Sequence, residues 1–346
     1  MKIIIRMPNH LGDFIMALGL IREIFFHRRG AHVSLVCKDN FVSLAHVALG
    51  KCDVYPLKGN NLSHISQMKK IKTRFDEGVL LTNSGFSALA FSFLKIEHVV
   101  GFDRLLGSLY FHGGIPLDPH RKRTEHQVDT YKRLLPLLGK KNTGKAPCIE
   151  LTGSQKKQGQ DLLHAQGIHS GDTVLGIHAS SVYGKAKCYP LDQHRELIRE
   201  FLKGGARRKV VIIGLPCERQ ELNVLAAVDD RVVNMAGQTD LETLCFVISA
   251  CDVFVSNDSG PMHLADALGV KLVALFGSSN PQVTAPYSQP FSVMRVSGLK
   301  CMPCFSKQCP EGHFNCMRQI APQSILKRVE RLLSNEKKRE SESCIS

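Results

Sequence analysis

Two doubly wound α/β domains in tandem are the fold this chain predicts. Its strands are apolar throughout, helices of about 10–15 residues separate them, and this rhythm runs twice along the chain. Strands buried on both faces read as continuous apolar runs, and alternation with helices makes the sheets parallel. The length of 346 residues also exceeds one average domain.

The first half opens with the strand Ile3–Arg6 and the polar elbow "MPNHLGD". Phe14, Ile15, Ala17, Leu18, Ile21, Ile24 and Phe25 then recur at helical spacing. That helix ends at Arg28-Arg29-Gly30, with cations at its negative pole and a glycine as the stop. "HVSLVC" is the next strand, and further apolar strands fall near Gly78–Leu81 and Val99–Val100.

In the second half, "TVLGIH" (173–178) is a strand and 180–190 a glycine-containing loop. An amphipathic helix over 192–203 precedes the strand "KVVIIG" (209–214). A helix over Glu218–Ala227 and a short strand at Val232–Met235 follow. Thr239-x-x-Glu242 reads as the capping box of a helix running to Ala250. "VFVS" and "KLVALFG" complete the strands, and an amphipathic helix over 322–334 is expected to pack back across the cleft between the domains. The boundary falls in 145–170, giving domains of 1–160 and 161–334, with 335–346 a polar, frayed tail.

Apolar residues at 43% and charged ones at 22% are ordinary for a globular protein. No apolar run reaches spanning length, since "VLLTNSGFSALAFSFL" is broken by Thr82, Asn83, Ser84 and Gly85. The N-terminus enters a strand at once and has no cleavable-signal pattern, so a cytoplasmic location is expected. The net charge of +14 fits an acidic partner or simply solvated lysines. Nucleic acid is not expected, for want of zinc-finger spacing, an RNA-recognition aromatic motif, or any Trp.

In open parallel sheets, ligands bind beyond the carboxyl ends of strands, so the loops leaving strands carry the chemistry. Four stand out. In "NDSGPMH", Ser259 or Gly260 caps a helix whose free amides suit phosphate, while Asp258 suits sugar hydroxyls or loop orientation. In "HASSVYGKAKCYP", Ser180 and Ser181 are neutral donors and Lys185 or Lys187 a point charge for a diphosphate. The loop "GLPCERQE" places Glu218 either on ribose hydroxyls or in a helix's first turn. Asp13, in "NHLGDF", is either a general base or a helix-end stabiliser.

Together these pieces resemble glycosyltransferase family 9, the bacterial lipopolysaccharide heptosyltransferases, and most of all its heptosyltransferase II branch. "NDSGPMHLADALGVKLVALFGSSNP" resembles the family's most specific block and "RMPNHLGDFIMALGLIREI" its N-terminal block. "TNSGFSAL" and "NMAGQTDLETL" also follow its pattern, over roughly 1–333 in the right order. The resemblance implies the GT-B fold, two Rossmann-like domains facing across a cleft, with acceptor on the first and nucleotide sugar on the second. It implies Asp13 as catalytic base and a donor site of Ser180, Ser181, Lys187, Glu218, Asp258, Ser259, Gly260 and His263. Asn83 and Ser84, with Arg121, Lys122 and Arg123 of "DPHRKRTEHQVD", become candidates for the acceptor. The implied reaction is inverting, metal-independent heptose transfer from ADP-heptose to an anionic glycolipid, in peripheral contact with the inner membrane's cytoplasmic face. Relatives commonly read Ala-Lys-Arg-Trp-Pro where this chain has Ala186-Lys187-Cys188-Tyr189-Pro190, which leaves another nucleotide sugar or acceptor as the alternative. A non-catalytic nucleotide- or RNA-binding protein is the reading from another class.

Twelve cysteines are present, and Cys37, Cys245 and Cys251 lie in apolar runs as reduced core residues. "CMPCFSKQCPEGHFNC" gathers Cys301, Cys304, Cys309, His313 and Cys316. This spacing fits either a structural zinc site or reduced thiols packing a loop.

Overall fold

The structure is a computed structural model that describes residues 1–50, 52–103 and 112–343. It divides into two compact units, Met1–Glu150 and Leu151–Ser346.

The first unit is a six-stranded parallel sheet ordered β3-β2-β1-β4-β5-β6. Its strands are β1 Lys2–Arg6, β2 His32–Lys38, β3 Asp53–Leu57, β4 Arg74–Leu80, β5 Lys95–Asp103 and β6 Gly113–Pro116. Its helices are α1 Leu11–His27, α2 Val42–Leu49, α3 Asn61–Lys70, α4 Gly85–Phe91, α5 Arg121–Thr124 and α6 Gln127–Lys132. The two strands the sequence hides are both edges. Pro56 sits inside β3, where it faces Cys37 of β2 and needs no second partner. β6 opens on Gly113-Gly114 and pairs only with β5. Ile4, Val36, Leu57, Met68, Phe75, Leu80 and Phe91 form the core under α3 and α4.

The second unit repeats the plan in the order β12-β11-β10-β7-β8-β9. Its strands are β7 Thr173–His178, β8 Arg208–Ile213, β9 Val232–Asn234, β10 Val253–Asn257, β11 Lys271–Leu275 and β12 Val293–Met294. Around them run α7 Gly153–His164, α8 Leu191–Leu202, α9 Arg219–Ala226, α10 Leu241–Ser249 and α11 Gly260–Ala267. Three more complete the unit: α12 Pro281–Thr284, α13 Asn315–Arg318 and α14 Pro322–Ser343.

Several expectations shift. A cut at 160 would fall inside α7, which is capped by Thr152 and packs on α10 of the second unit. Residues up to Glu150 stay with the first unit because buried Glu23 of α1 accepts hydrogen bonds from Thr143 N at 3.0 Å and Lys145 N at 2.8 Å. The capping box of α10 lies one residue later than read. Asp240 accepts from Thr243 N, and Thr243 Oγ1 accepts from Asp240 N. The terminal helix does not stop at 334, because "NEKKRES" contains strong helix formers and no Gly or Pro. Within its unit, α14 lies on α8, β10 and β11.

Candidate functional site

In the second unit the strand order reverses between β10 and β7, and the loops leaving those two strands meet there. β10 is fully buried, so its last residue, Asn257, is held rigidly at the edge of the core. Both ends of the Asn257 amide join the loops: Oδ1 accepts from Tyr189 N at 3.0 Å and Nδ2 donates to Ser180 O at 3.3 Å. Beyond it, Asp258 Oδ2 lies 2.6 Å from Lys187 Nζ. The ammonium also sits 4.8 Å from the Tyr183 ring centroid, within cation–π range. The ion pair links the β10 loop to the β7 loop.

His178, the last residue of β7, has both ring nitrogens engaged. Nδ1 lies 3.0 Å from Ser259 Oγ and Nε2 lies 3.2 Å from Ser180 Oγ. Burial alone lowers its pKa to about 4, so the ring is neutral and carries one N–H and one lone pair between two hydroxyls. Ser259 is the N-cap of α11, yet its side chain makes no capping bond because it is turned to His178 and Asn257 O. Pro261 has no N–H and Met262 N donates to Ser259 O at 3.2 Å, so the N–H this helix start offers to an anion is that of Gly260. His263 is buried on that same first turn.

Ser181 is half-buried in the β7 loop. Lys185 is exposed and pairs with Glu221 at 3.3 Å, which leaves Lys187 as the inward cation. Glu218 closes its own turn, accepting from Leu215 N at 2.7 Å, so one of its oxygens is committed to structure. Tyr189 and Cys188, which depart from the family pattern, have different settings. Tyr189 is a core residue whose hydroxyl donates to Ile320 O at 2.7 Å. Cys188 is half-buried, with its thiol pushed up to about 11 by burial and then by the charge of Glu218.

In the first unit, Asp13 lies in the first turn of α1, half-buried. It is close enough to Tyr131 that its charge adds to burial in raising that phenol's pKa. The elbow before it is pinned by Arg6, whose guanidinium donates to Met7 O and to Asn9 Oδ1, the latter at 2.8 Å. Arg6 is only 2% exposed, and burial lowers its pKa to about 10. Among the described residues it makes no ion pair with a carboxylate. Asn83 and Ser84 follow β4 and are exposed, with Ser84 Oγ capping α4 by accepting from Ser87 N. Arg121, Lys122 and Arg123 are exposed on α5, and Arg121 is shared between Asp118 at 3.6 Å and Glu125 at 3.4 Å.

Arg6 and His178 were not singled out from the sequence, yet both carry a signal. Each is the one polar residue closing an apolar strand, at the end where parallel sheets bind ligands.

Cys301, Cys304, Cys309, His313 and Cys316 line one small cavity with Ser278. All four thiols are free, and Cys316 packs into the core of the second unit. Among the described residues, no group of three or more His, Cys, Asp or Glu is arranged to hold a metal ion.

A sequence model of glycosyltransferase family 9 (heptosyltransferase) matches residues 65–315. Lipooligosaccharide heptosyltransferase 2 of Campylobacter jejuni subsp. jejuni serotype O:2 is 29% identical over 97% of this chain and 99% of its own. Lipopolysaccharide heptosyltransferase 2 of Escherichia coli K12 is 26% identical over 97% of this chain and 99% of its own. Among solved structures, E. coli ADP-heptose LPS heptosyltransferase II superposes with a TM-score of 0.79 at 24% identity, covering 97% of this chain and 100% of that one. A family 9 glycosyl transferase from Veillonella parvula gives 0.83 at 21%, covering 96% and 97%. These two likenesses show the fold, that of the GT-B enzymes.

Proposed function

The chain belongs to glycosyltransferase family 9, the heptosyltransferases, and from that premise we propose that it transfers heptose from ADP-L-glycero-D-manno-heptose to the inner core of lipopolysaccharide. Similarity to heptosyltransferase 2 proteins over nearly the whole chain supports the substrates. The observation that carries the site is Lys187 set by Asp258 beside the uncapped start of α11.

On this reading the donor diphosphate lies against Lys187, the Ser180 and Ser181 hydroxyls and the Gly260 N–H that follows Ser259 at the start of α11. Glu218 offers its second oxygen to the ribose, and His263 supports the same loop. Asp13 takes the proton from an acceptor hydroxyl as that oxygen attacks the anomeric carbon. Displacement from the far face inverts the configuration. The departing ADP gathers negative charge, which the lysine, the hydroxyls and the helix dipole stabilise, each such donor being worth about 3–4 kcal/mol of barrier. The reading needs no catalytic cation, and the sequence has no Asp-x-Asp pair of the kind that would carry one. Asn83, Ser84 and the basic run Arg121–Arg123 are assigned to an anionic acceptor. The protein would then work in the cytoplasm at the inner-membrane face; no described helix is long and apolar enough to cross a membrane.

The alternative donor now rests on Cys188 alone, since Tyr189 is turned into the core. Incubation with ADP-heptose and defined core acceptors, followed by mass measurement, tests the proposal. One heptose increment is expected; none on any acceptor, with an increment from another nucleotide sugar, would select the alternative.

A further inference from the structure

Nothing in the reaction accounts for the outer surface of α3 and α4. From Val54 to Phe75 the chain has five Lys or Arg and no acid, and from Gly78 to Ile96 again no acid. α3 and α4 pack side by side on one face of the first sheet. On α4, Phe86 and half-buried Leu89 fall at i and i+3, and Phe93 lies in the turn just past the end of the helix. Phe86 is 52% and Phe93 41% exposed, and Leu62 at the start of α3 is 72% exposed. Single exposed apolar residues are ordinary, but three on a face without a carboxylate are not.

Of the cations on this face, one lies over a ring and another donates to a backbone carbonyl. Lys69 Nζ lies 4.3 Å from the Phe93 ring centroid, and Lys72 Nζ donates to Lys69 O at 3.1 Å. Lys69, Lys70, Lys72 and Lys95 make no ion pair among the described residues. Lys58 and Arg74, at the margins, do pair, with Asp39 and Glu97.

From this combination we propose that the α3–α4 face is a docking surface for an anionic lipid bilayer. Aromatic rings at the headgroup level and lysines reaching past them to lipid phosphate suit an interfacial surface. The attraction of a cationic face to an anionic leaflet supplies the charge complementarity, at about 1 kcal/mol per lysine, or roughly fivefold in affinity. A protein partner would have to offer a groove both apolar and acidic, whereas a leaflet offers both properties everywhere. The inference rests on the proposed lipid-borne acceptor, and it names the surface that would bring the enzyme to it.

Co-sedimentation of the full chain with vesicles, with no acceptor present, tests it. Vesicles of phosphatidylethanolamine with about a quarter phosphatidylglycerol should bind the protein at least tenfold better than phosphatidylcholine vesicles. Lys69→Gln with Lys70→Gln should weaken that binding about 30-fold, and Phe86→Ser with Phe93→Ser about tenfold or more. Wild-type protein that ignores the anionic vesicles, or variants within about twofold of wild type, would overturn the proposal. So would a dimer in solution that Phe86→Ser with Phe93→Ser dissolves, since the face would then be a contact between copies. Transfer to a lipid-free acceptor fragment should be unchanged by Lys69→Gln with Lys70→Gln. If wild-type protein transfers no heptose yet binds the vesicles, the functional reading fails and the docking surface stands.

Discussion

Removing Lys187 should cost far more than a surface ion pair is worth. Its ammonium lies 2.6 Å from Asp258 Oδ2, and the two side chains are only 16% and 3% exposed. Lys187→Met would leave a carboxylate at the edge of the core with no cation. Breaking a buried pair from one side typically costs about 3–5 kcal/mol, because the remaining charge is uncompensated. For a unit of about 200 residues, each kcal/mol lowers the melting temperature by about 2–4 °C, so a fall of about 6–20 °C is expected. Asp258→Asn alone should cost less, about 1–2 kcal/mol, since the longer lysine can turn to water. Joining the two changes removes the orphaned charge, and the double variant should recover most of the loss of Lys187→Met. Differential scanning calorimetry of the four proteins closes the cycle, and a coupling of at least about 2 kcal/mol is expected. ADP binding, measured alongside, should stay weak in the double variant, because stability returns while the proposed diphosphate contact does not. A Lys187→Met protein melting within about 1 °C of wild type, or a double variant no better than the single, would refute the reasoning.

Asp13→Asn should abolish transfer while leaving ADP affinity intact; transfer at the wild-type rate would remove Asp13 from the mechanism. Arg6→Met should lower kcat by roughly 10–100-fold with little change in KM, because it frees the elbow that sets Asp13, and steady-state kinetics would show a KM effect instead if Arg6 bound substrate. His178 and His194 both have pKa values held below the ordinary 6.5, to about 4 and about 3, by burial. The unfolded chain therefore takes up protons first, and stability should fall as pH drops from 6.5 towards 4, by about 3 kcal/mol from His178 alone, read as a lowered urea midpoint. Both ring nitrogens of His194 lack partners, and its ring packs edge-on to Tyr189. His194→Phe should thus match or exceed wild-type stability at neutral pH and flatten part of that acid dependence. Elemental analysis of the purified protein should find zinc well below one equivalent, and a full equivalent lost in Cys304→Ser would show that the cysteine cavity rearranges around metal.

What could be read from the sequence was whatever leaves a long apolar trace. β1, β2, β7, β8, β10 and β11 are such runs, and α1 and α8 show their spacing plainly. β3 and β6 escaped because edge strands tolerate Pro56 and Gly113-Gly114, residues that argue against a strand anywhere else. Caps were legible only approximately: Thr239 and Asp240 both qualify, and the structure chooses the carboxylate. At the site, the loops could be located because parallel sheets work at one edge. The pairing of Lys187 with Asp258 spans 71 positions and leaves no local trace. The environment of His178 was equally hidden, since a neutral imidazole between two serines looks, in sequence, like a polar residue ending a strand.

The amide of Asn257 has a consequence for how a ligand would be received. Because both its hydrogen bonds run to the β7 loop, the segment carrying Ser180 and Lys187 is fastened when the domain folds. A donor arriving there meets groups whose conformational entropy is already gone, so little of its contact energy is used in ordering them. Asn257→Ala would return that disorder to the free protein without touching a single atom that meets the ligand. Affinity would weaken through entropy, with the enthalpy of binding becoming more favourable as ordering moves into the binding step.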